Sequence, residues 1–320
     1  MPKLRDKYQE HKQKYSYQNS SNHERYLHKK LHADNGRQVP IQYKTFKCHQ
    51  DNYDTIMFDA HTHLNSDQLY PDRETHLDEF ASAGGTGLIN IWVNHTWNQR
   101  ALHIAQQSHT VSTYATVWIH PWETLFGEVS SKEQATLDIE QLRTLHEANK
   151  DNVIGIGECG IDSHFERNKT IEVLQSYLFV AQCDLARDTW LPLVIHSRDN
   201  FWLTHEILQE YTDLSIYFHC RGYTPAEVQQ AKKSFPQLWI WFCGNLTYPK
   251  AQLLRDSFQT AIDLEIPLVL ETDAPYLSPQ VVRGTQNAPK HIAHLYEYVT
   301  THYDIRESTI THNITSLYRL

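Results

Sequence analysis

A chain of 320 residues with 40% hydrophobic residues can bury one large core or two modest ones, and no apolar stretch approaches the roughly 20 residues that span a bilayer. Its five cysteines, Cys48, Cys159, Cys183, Cys220 and Cys243, are odd in number and include no Cys-x-x-Cys pair, which argues against a disulfide framework or zinc finger and for reduced thiols in the cytoplasm. The net charge of −9 conceals eleven Lys/Arg against four acids in residues 1–50; the rest, with 18 bases and 34 acids, is too acidic to grip duplex nucleic acid through its phosphates alone.

Residues 1–53 are polar, rich in Lys, His, Gln, Asn and Tyr, and carry neither a sustained apolar period nor a secretory apolar core. They are expected to form a disordered or loosely attached extension, with a nucleic-acid-binding arm as the competing reading. From residue 54 to 320, short apolar runs alternate with amphipathic helical stretches. Strands are predicted at 56–61, 87–93, 113–119, 153–158, 191–196, 214–219, 238–243 and 267–272. Helices are predicted at 132–148, 170–187, 225–234, 250–264 and 289–302, among others. This alternation predicts an α/β fold, a (β/α)8 TIM-type barrel carrying a polar N-terminal extension. An open doubly wound sheet is the alternative, but no Gly-x-Gly-x-x-Gly follows the first strand. Gly84-Gly85-Thr86-Gly87 precedes a strand and reads as a helix stop and loop.

In such a barrel the chemistry sits at the C-terminal strand ends. The first strand ends in Asp59-Ala60-His61-Thr62-His63, where residues two apart share a face, so Asp59, His61 and His63 should point the same way. Later strands end in His120-Pro121, Glu158-Cys159-Gly160-Ile161-Asp162, His196-Ser197-Arg198, His219-Cys220 and Glu271-Thr272-Asp273-Ala274-Pro275-Tyr276. Each signal alone fits a solvated histidine or a turn-capping acid. Their recurrence at strand after strand does not.

His61, His63, Glu158, His196, His219 and Asp273 exceed what one tetrahedral ion needs. They suit two divalent ions about 3.5–4 Å apart, bridged by a carboxylate and a hydroxide. Zn²⁺, Mn²⁺, Fe²⁺, Co²⁺ and Mg²⁺ all accept such donors. Glu158 is the bridging candidate, and Asp273 can both touch a metal and take the proton of the nucleophilic water. Arg198 and Arg221 are candidates for holding phosphate, each set against an ordinary structural or surface role. His120 is a candidate substrate contact, and Trp122 could stack a base or cover core.

These segments resemble the TatD-like metal-dependent hydrolases, a deoxyribonuclease branch of the amidohydrolase superfamily. The match runs from Met57 to about Leu295, through Phe58-Asp59-Ala60-His61-Thr62-His63-Leu64, Gly157-Glu158-Cys159-Gly160-Ile161-Asp162, Pro192-Leu193-Val194-Ile195-His196-Ser197-Arg198 and Glu271-Thr272-Asp273-Ala274-Pro275-Tyr276-Leu277. The resemblance implies a barrel with a binuclear divalent site that hydrolyses phosphodiesters of DNA, often 3′-to-5′ on single-stranded ends, with RNA as a further candidate substrate. It implies that His61, His63, Glu158 and Asp273 hold one metal and that Glu158, His196 and His219 hold the other, with Glu158 and Asp273 catalytic. The chain departs from the pattern at Arg221-Gly222-Tyr223, where the family has Phe-Ser/Thr-Gly, and at Gln286-Asn287-Ala288-Pro289, where it has Arg-Asn-Glu-Pro. The alternatives are the same metal site acting on a carboxyl ester, lactone, amide or aminoacylated RNA end, and a non-catalytic barrel that binds nucleic acid.

Overall fold

Eight short strands, Met57–Thr62 (β1), Gly85–Asn90 (β2), Ser112–Val117 (β3), Val153–Asp162 (β4), Leu193–Arg198 (β5), Ile216–His219 (β6), Leu238–Phe242 (β7) and Leu268–Leu270 (β8), pair in parallel in that order. The computed structural model describes residues 56–91, 95–107, 110–164, 168–219 and 222–320, so the extension expected over 1–53 lies outside the described residues. Just beyond β1 and β8 the ring closes: His63 N–H donates to Ala274 O at 2.8 Å, and Asp273 N–H donates to His61 O at 3.0 Å. This is the (β/α)8 barrel that the alternation predicts.

Helices follow the strands, among them Arg73–Ser82, Lys132–Ala148, Lys169–Thr189, Phe201–Leu208, Pro225–Ser234, Gln252–Asp263, Ile292–Tyr303 and Glu307–Tyr318. Local chemistry fixes their ends. Thr224 and Glu227 form a reciprocal capping box ahead of Pro225, and the Ser131 side chain accepts from Gln134 N–H. The strands are buried on both faces, so they read as nearly continuous apolar runs.

The glycine run at 84–87 behaves differently from the loop that the sequence suggests. Only Gly84, with φ +95°, ends the helix; Gly85 and Gly87 belong to β2. A Cβ on Gly85 would lie 2.3 Å from the Phe80 ring, and one on Gly87 would lie 2.3 Å from the Phe58 ring. These glycines are therefore recesses that seat two buried aromatics, and β2 begins two residues earlier than predicted. At this same end of the barrel, where the strands begin, Glu307–Tyr318 closes the foot. Thr311 Oγ1 donates to Ile56 O, Asn313 Nδ2 donates to Leu268 O, and the Tyr318 ring lies against Gly155.

Candidate metal centre

Two irregularities in the ladders aim the cluster. Along β1, Asp59 pairs with Leu88 and Thr62 with Asn90, so Ala60 and His61 share the space opposite Ile89. Along β4, Gly157 pairs with Val194 and Cys159 with Ile195, which leaves Glu158 as the extra residue. Bulges of this kind bend a strand and redirect a side chain. Gly157 permits the second: at φ +134°, its missing Cβ would sit 2.2 Å from Val194 O.

The redirected side chains meet in a buried group. Glu158 Oε1 lies 2.8 Å from His196 Nδ1 and 2.7 Å from His219 Nε2, while Oε2 lies 3.7 Å from His61 Nε2. Asp273 Oδ1 is 3.2 Å from His63 Nε2 and 3.6 Å from His61 Nε2. Asp273 adopts φ +54°, which turns its carboxylate back toward β1. The six residues expected to ligate metal therefore come together, with Glu158 between the two histidine sets.

Burial alone would raise the Glu158 carboxyl, but the facing His219 and His196 rings outweigh it and hold it well below the usual carboxylate range. Burial works against the Asp162 anion too; the His196 hydrogen bond, the His196 charge and Arg198 hold that carboxyl low. Glu271 behaves oppositely. Its burial, then the neighbouring Asp273, Cys243, Asp59 and Glu158, push it well above the usual range.

The donors fit divalent ions. His63 Nδ1 faces Ile91 O at 2.9 Å, so the proton sits on Nδ1 and the Nε2 lone pair points at Asp273 Oδ1. Two acceptors facing each other at that distance call for a cation between them. Among the described residues neither oxygen of Asp273 receives a hydrogen bond, although both are buried. Buried trios able to hold an ion are His61–His63–Glu158, His120–Glu158–His196 and His61–His219–Glu271.

A sequence profile of TatD-related DNases matches residues 58–319. The chain belongs to the TatD-related DNase family. A 3′-5′ ssDNA/RNA exonuclease TatD of Erwinia tasmaniensis is 31% identical over 254 residues, covering 76% of this chain and 90% of that protein. A metal-dependent hydrolase of Bacillus subtilis, YabD, is 25% identical over 277 residues, covering 83% of this chain and all of that one. The crystal structure of YjjV, a TatD homologue from Escherichia coli K12, shares the fold with a TM-score of 0.70 at 22% identity, over 82% of this chain and 98% of that chain.

Other expected residues of this TatD-family chain fall differently. Asp59 shares the buried face but stays out of the cluster, because Thr272 takes both its oxygens: N–H to Oδ1 at 2.9 Å and Oγ1 to Oδ2 at 2.6 Å. Burial pushes Asp59 up to about 7, and those Thr272 bonds oppose the rise. Arg198 ends β5 opposite Asp162, buried, with its charge serving that carboxylate. Trp122 is half-buried, and its Nε1–H donates in the ring plane to Asp162 Oδ2 at 2.6 Å, which ties the indole to the end of β4. His120 lies beyond β3, which ends at Val117 instead of residue 119. There the Gln182 side chain substitutes for a neighbouring strand, accepting from Ile119 N–H and donating to Ile119 O. Arg221 and Cys220 lie outside the described residues.

Sequence reasoning also passed over residues that the fold brings to the centre. Asp162 Oδ2 lies 2.9 Å from His196 Nε2, and Glu271 Oε2 lies 3.6 Å from His61 Nδ1. The signal for Glu271 was present: it stands two residues before Asp273 at the end of an apolar strand. Asn287 lies in the segment that departs from the family pattern, and its Nδ2 donates to Thr272 O at 2.8 Å and Tyr276 O at 2.6 Å, bracing the turn that carries Asp273.

Proposed function

We propose that this chain hydrolyses phosphodiester bonds of single-stranded DNA, and RNA as a second substrate, from a 3′ end and with two divalent ions. The observation that carries the reading is the placing of Glu158 between His196–His219 and His61, with the Asp273 carboxylate facing the His63 lone pair. His61, His63, Glu158 and Asp273 would hold one ion, and Glu158, His196 and His219 the other. Bound there, the ions would neutralise phosphoryl charge and make water nucleophilic at neutral pH. The relatives named as 3′-5′ ssDNA/RNA exonucleases support the substrate class and polarity.

The protein groups divide the remaining work. Asp273 takes the proton of the attacking water, since its buried oxygens have no donor among the described residues to satisfy them first. Asp162 and Ile91 O orient His196 and His63, fixing which ring nitrogen faces the centre. Arg198, at the end of β5, stabilises the Asp162 anion and adds positive charge close to the phosphate site.

The test uses metal-stripped protein resupplied with Mg²⁺, Mn²⁺ or Zn²⁺ and single-stranded DNA labelled at either end, alongside Asp273→Asn. Metal-dependent shortening from the 3′ end, lost by about 100-fold or more in the variant, is expected. Stoichiometric metal uptake without cleavage of DNA or RNA would remove the nuclease reading and move the substrate to a carboxyl ester or amide.

A further inference from the structure

A ligating imidazole turns a lone pair toward the metal and gives its other N–H to an acceptor. His63 meets this condition through Ile91 O, and His196 through Asp162. For His61 the two ring nitrogens are told apart by what each one faces. Nε2 lies 3.3 Å from His63 Nε2, 3.6 Å from Asp273 Oδ1 and 3.7 Å from Glu158 Oε2, on the side of the other ligands. Nδ1 lies on the far side, 3.6 Å from Glu271 Oε2. Glu271 is not among the six residues assigned to the ions, yet it stands behind one of them.

The surroundings aim that oxygen. The Tyr217 hydroxyl, on β6, donates to Glu271 Oε2 at 3.3 Å. Charged or neutral, the carboxyl therefore presents Oε2 as an acceptor, and its second lone pair remains for another donor. A hydroxyl proton aimed at this oxygen also makes a poor seat for a cation, although His61, His219 and Glu271 lie close enough to hold one. Aromatic rings fix the imidazole. The His219 ring stacks on His61 with centroids 4.7 Å apart and planes 20° apart, and the Trp241 ring lies 4.6 Å away. Trp241 also stacks on Tyr217 at 5.4 Å, so one indole braces both donors that face Glu271. His61, Tyr217, Trp241 and Glu271 are all fully buried, and bulk water does not compete for their polar atoms.

We propose that Glu271 ligates no metal and is a positioning residue: its Oε2, held by the Tyr217 hydroxyl, accepts from His61 Nδ1–H and so fixes the Nε2 lone pair toward the ion. In the metal-loaded centre the separation of 3.6 Å shortens to a hydrogen bond of about 2.9 Å. The assignment rests on the reading of His61 as a metal ligand and is independent of the substrate.

The experiment titrates Mn²⁺ or Zn²⁺ by calorimetry into metal-stripped full chains: wild type, Glu271→Leu, Glu271→Gln, Tyr217→Phe and His61→Ala. His63→Ala and Asp162→Asn mark which of the two binding steps belongs to which ion. Glu271→Leu is expected to weaken the step that His63→Ala weakens by about 10- to 100-fold, and to leave the Asp162-dependent step within about 3-fold. A general loss of structure would weaken both steps alike. Glu271→Gln keeps an acceptor oxygen and should restore most of the affinity. Tyr217→Phe removes only the hydroxyl; it should weaken the same step by about 3- to 10-fold, and it carries the test if the Leu variant fails to fold. Wild-type affinities in both Glu271→Leu and Tyr217→Phe overturn the proposal, as do equal losses at both steps. So does a wild-type uptake of three ions that falls to two in Glu271→Leu, which would make Glu271 a ligand. If His61→Ala binds both ions at wild-type strength, the reading of His61 as a ligand falls first, and this proposal with it.

Discussion

Asp162 accepts from two aromatic donors with different duties. The Trp122 indole at 2.6 Å ties down the loop beyond β3, and His196 Nε2 at 2.9 Å sets which nitrogen of that ring faces Glu158. Asp162→Asn keeps the size of the side chain but presents an amide where an anion stood. Metal affinity is expected to fall by about 10- to 100-fold with the fold retained; calorimetric titration against circular dichroism checks it, and an unchanged affinity would remove Asp162 from the centre. The contrast with His61 and His63 explains what the sequence disclosed at this scale. Those two lie in one short segment, two residues apart, so their common purpose can be read locally. Asp162 and Glu271 acquire theirs from partners on other strands, and a carboxylate beside a strand end looks the same whether it meets a ring nitrogen or water.

The bulge in β4 turns one residue of an otherwise regular ladder into the centre of the cluster. Gly157→Ala would place a methyl 2.2 Å from Val194 O at a φ of +134°. The backbone must then shift, at an expected cost of about 2–4 kcal/mol, and Glu158 loses its aim. A lowered urea midpoint together with weakened metal binding is the expected pair of results; a full-strength metal site would show that the bulge is dispensable. On the β8 side, Asn287→Ala removes the donor shared by Thr272 O and Tyr276 O, at about 1–3 kcal/mol for the buried hydrogen bonding lost. Thermal unfolding should record that loss, with kcat falling further than metal affinity because Asp273 is displaced while the other ligands stay. The helices 132–148 and 225–234 were legible to the residue because their caps and apolar periods coincide. The exit from β3 was not, since a buried glutamine completing a sheet edge belongs to no strand or helix pattern.

At the scale of the whole molecule, the barrel is legible from its alternation of apolar runs and helical stretches, because each β/α unit obeys local rules and only one ring satisfies all of them. Closure was harder to read, since it joins ends distant in the chain: Thr272 grips Asp59 across 213 positions. His61 and His63 come from one side of that seam and Asp273 from the other, so an ion held among them ties the first strand to the last. Chelation should lower the melting temperature reversibly. At a free ion concentration of 100 Kd the stabilisation is about 2.7 kcal/mol, or about 5 °C for a chain of this size. A melting curve indifferent to EDTA and to re-added Mn²⁺ would show that the seam holds without the ion.

An ion clasped there would link metal supply to turnover. A ring fastened by metal at its longest-range joint would be expected to open there first when the ion is scarce, and an opened joint is what a protease finds. Copies of the protein made in a metal-starved cell should then disappear sooner, as well as work more slowly, and the cleavages that remove them should begin beside β1 and β8. Pulse proteolysis of stripped and reloaded protein, with the first cut sites mapped, would locate that weakness or show that the ring is opened elsewhere.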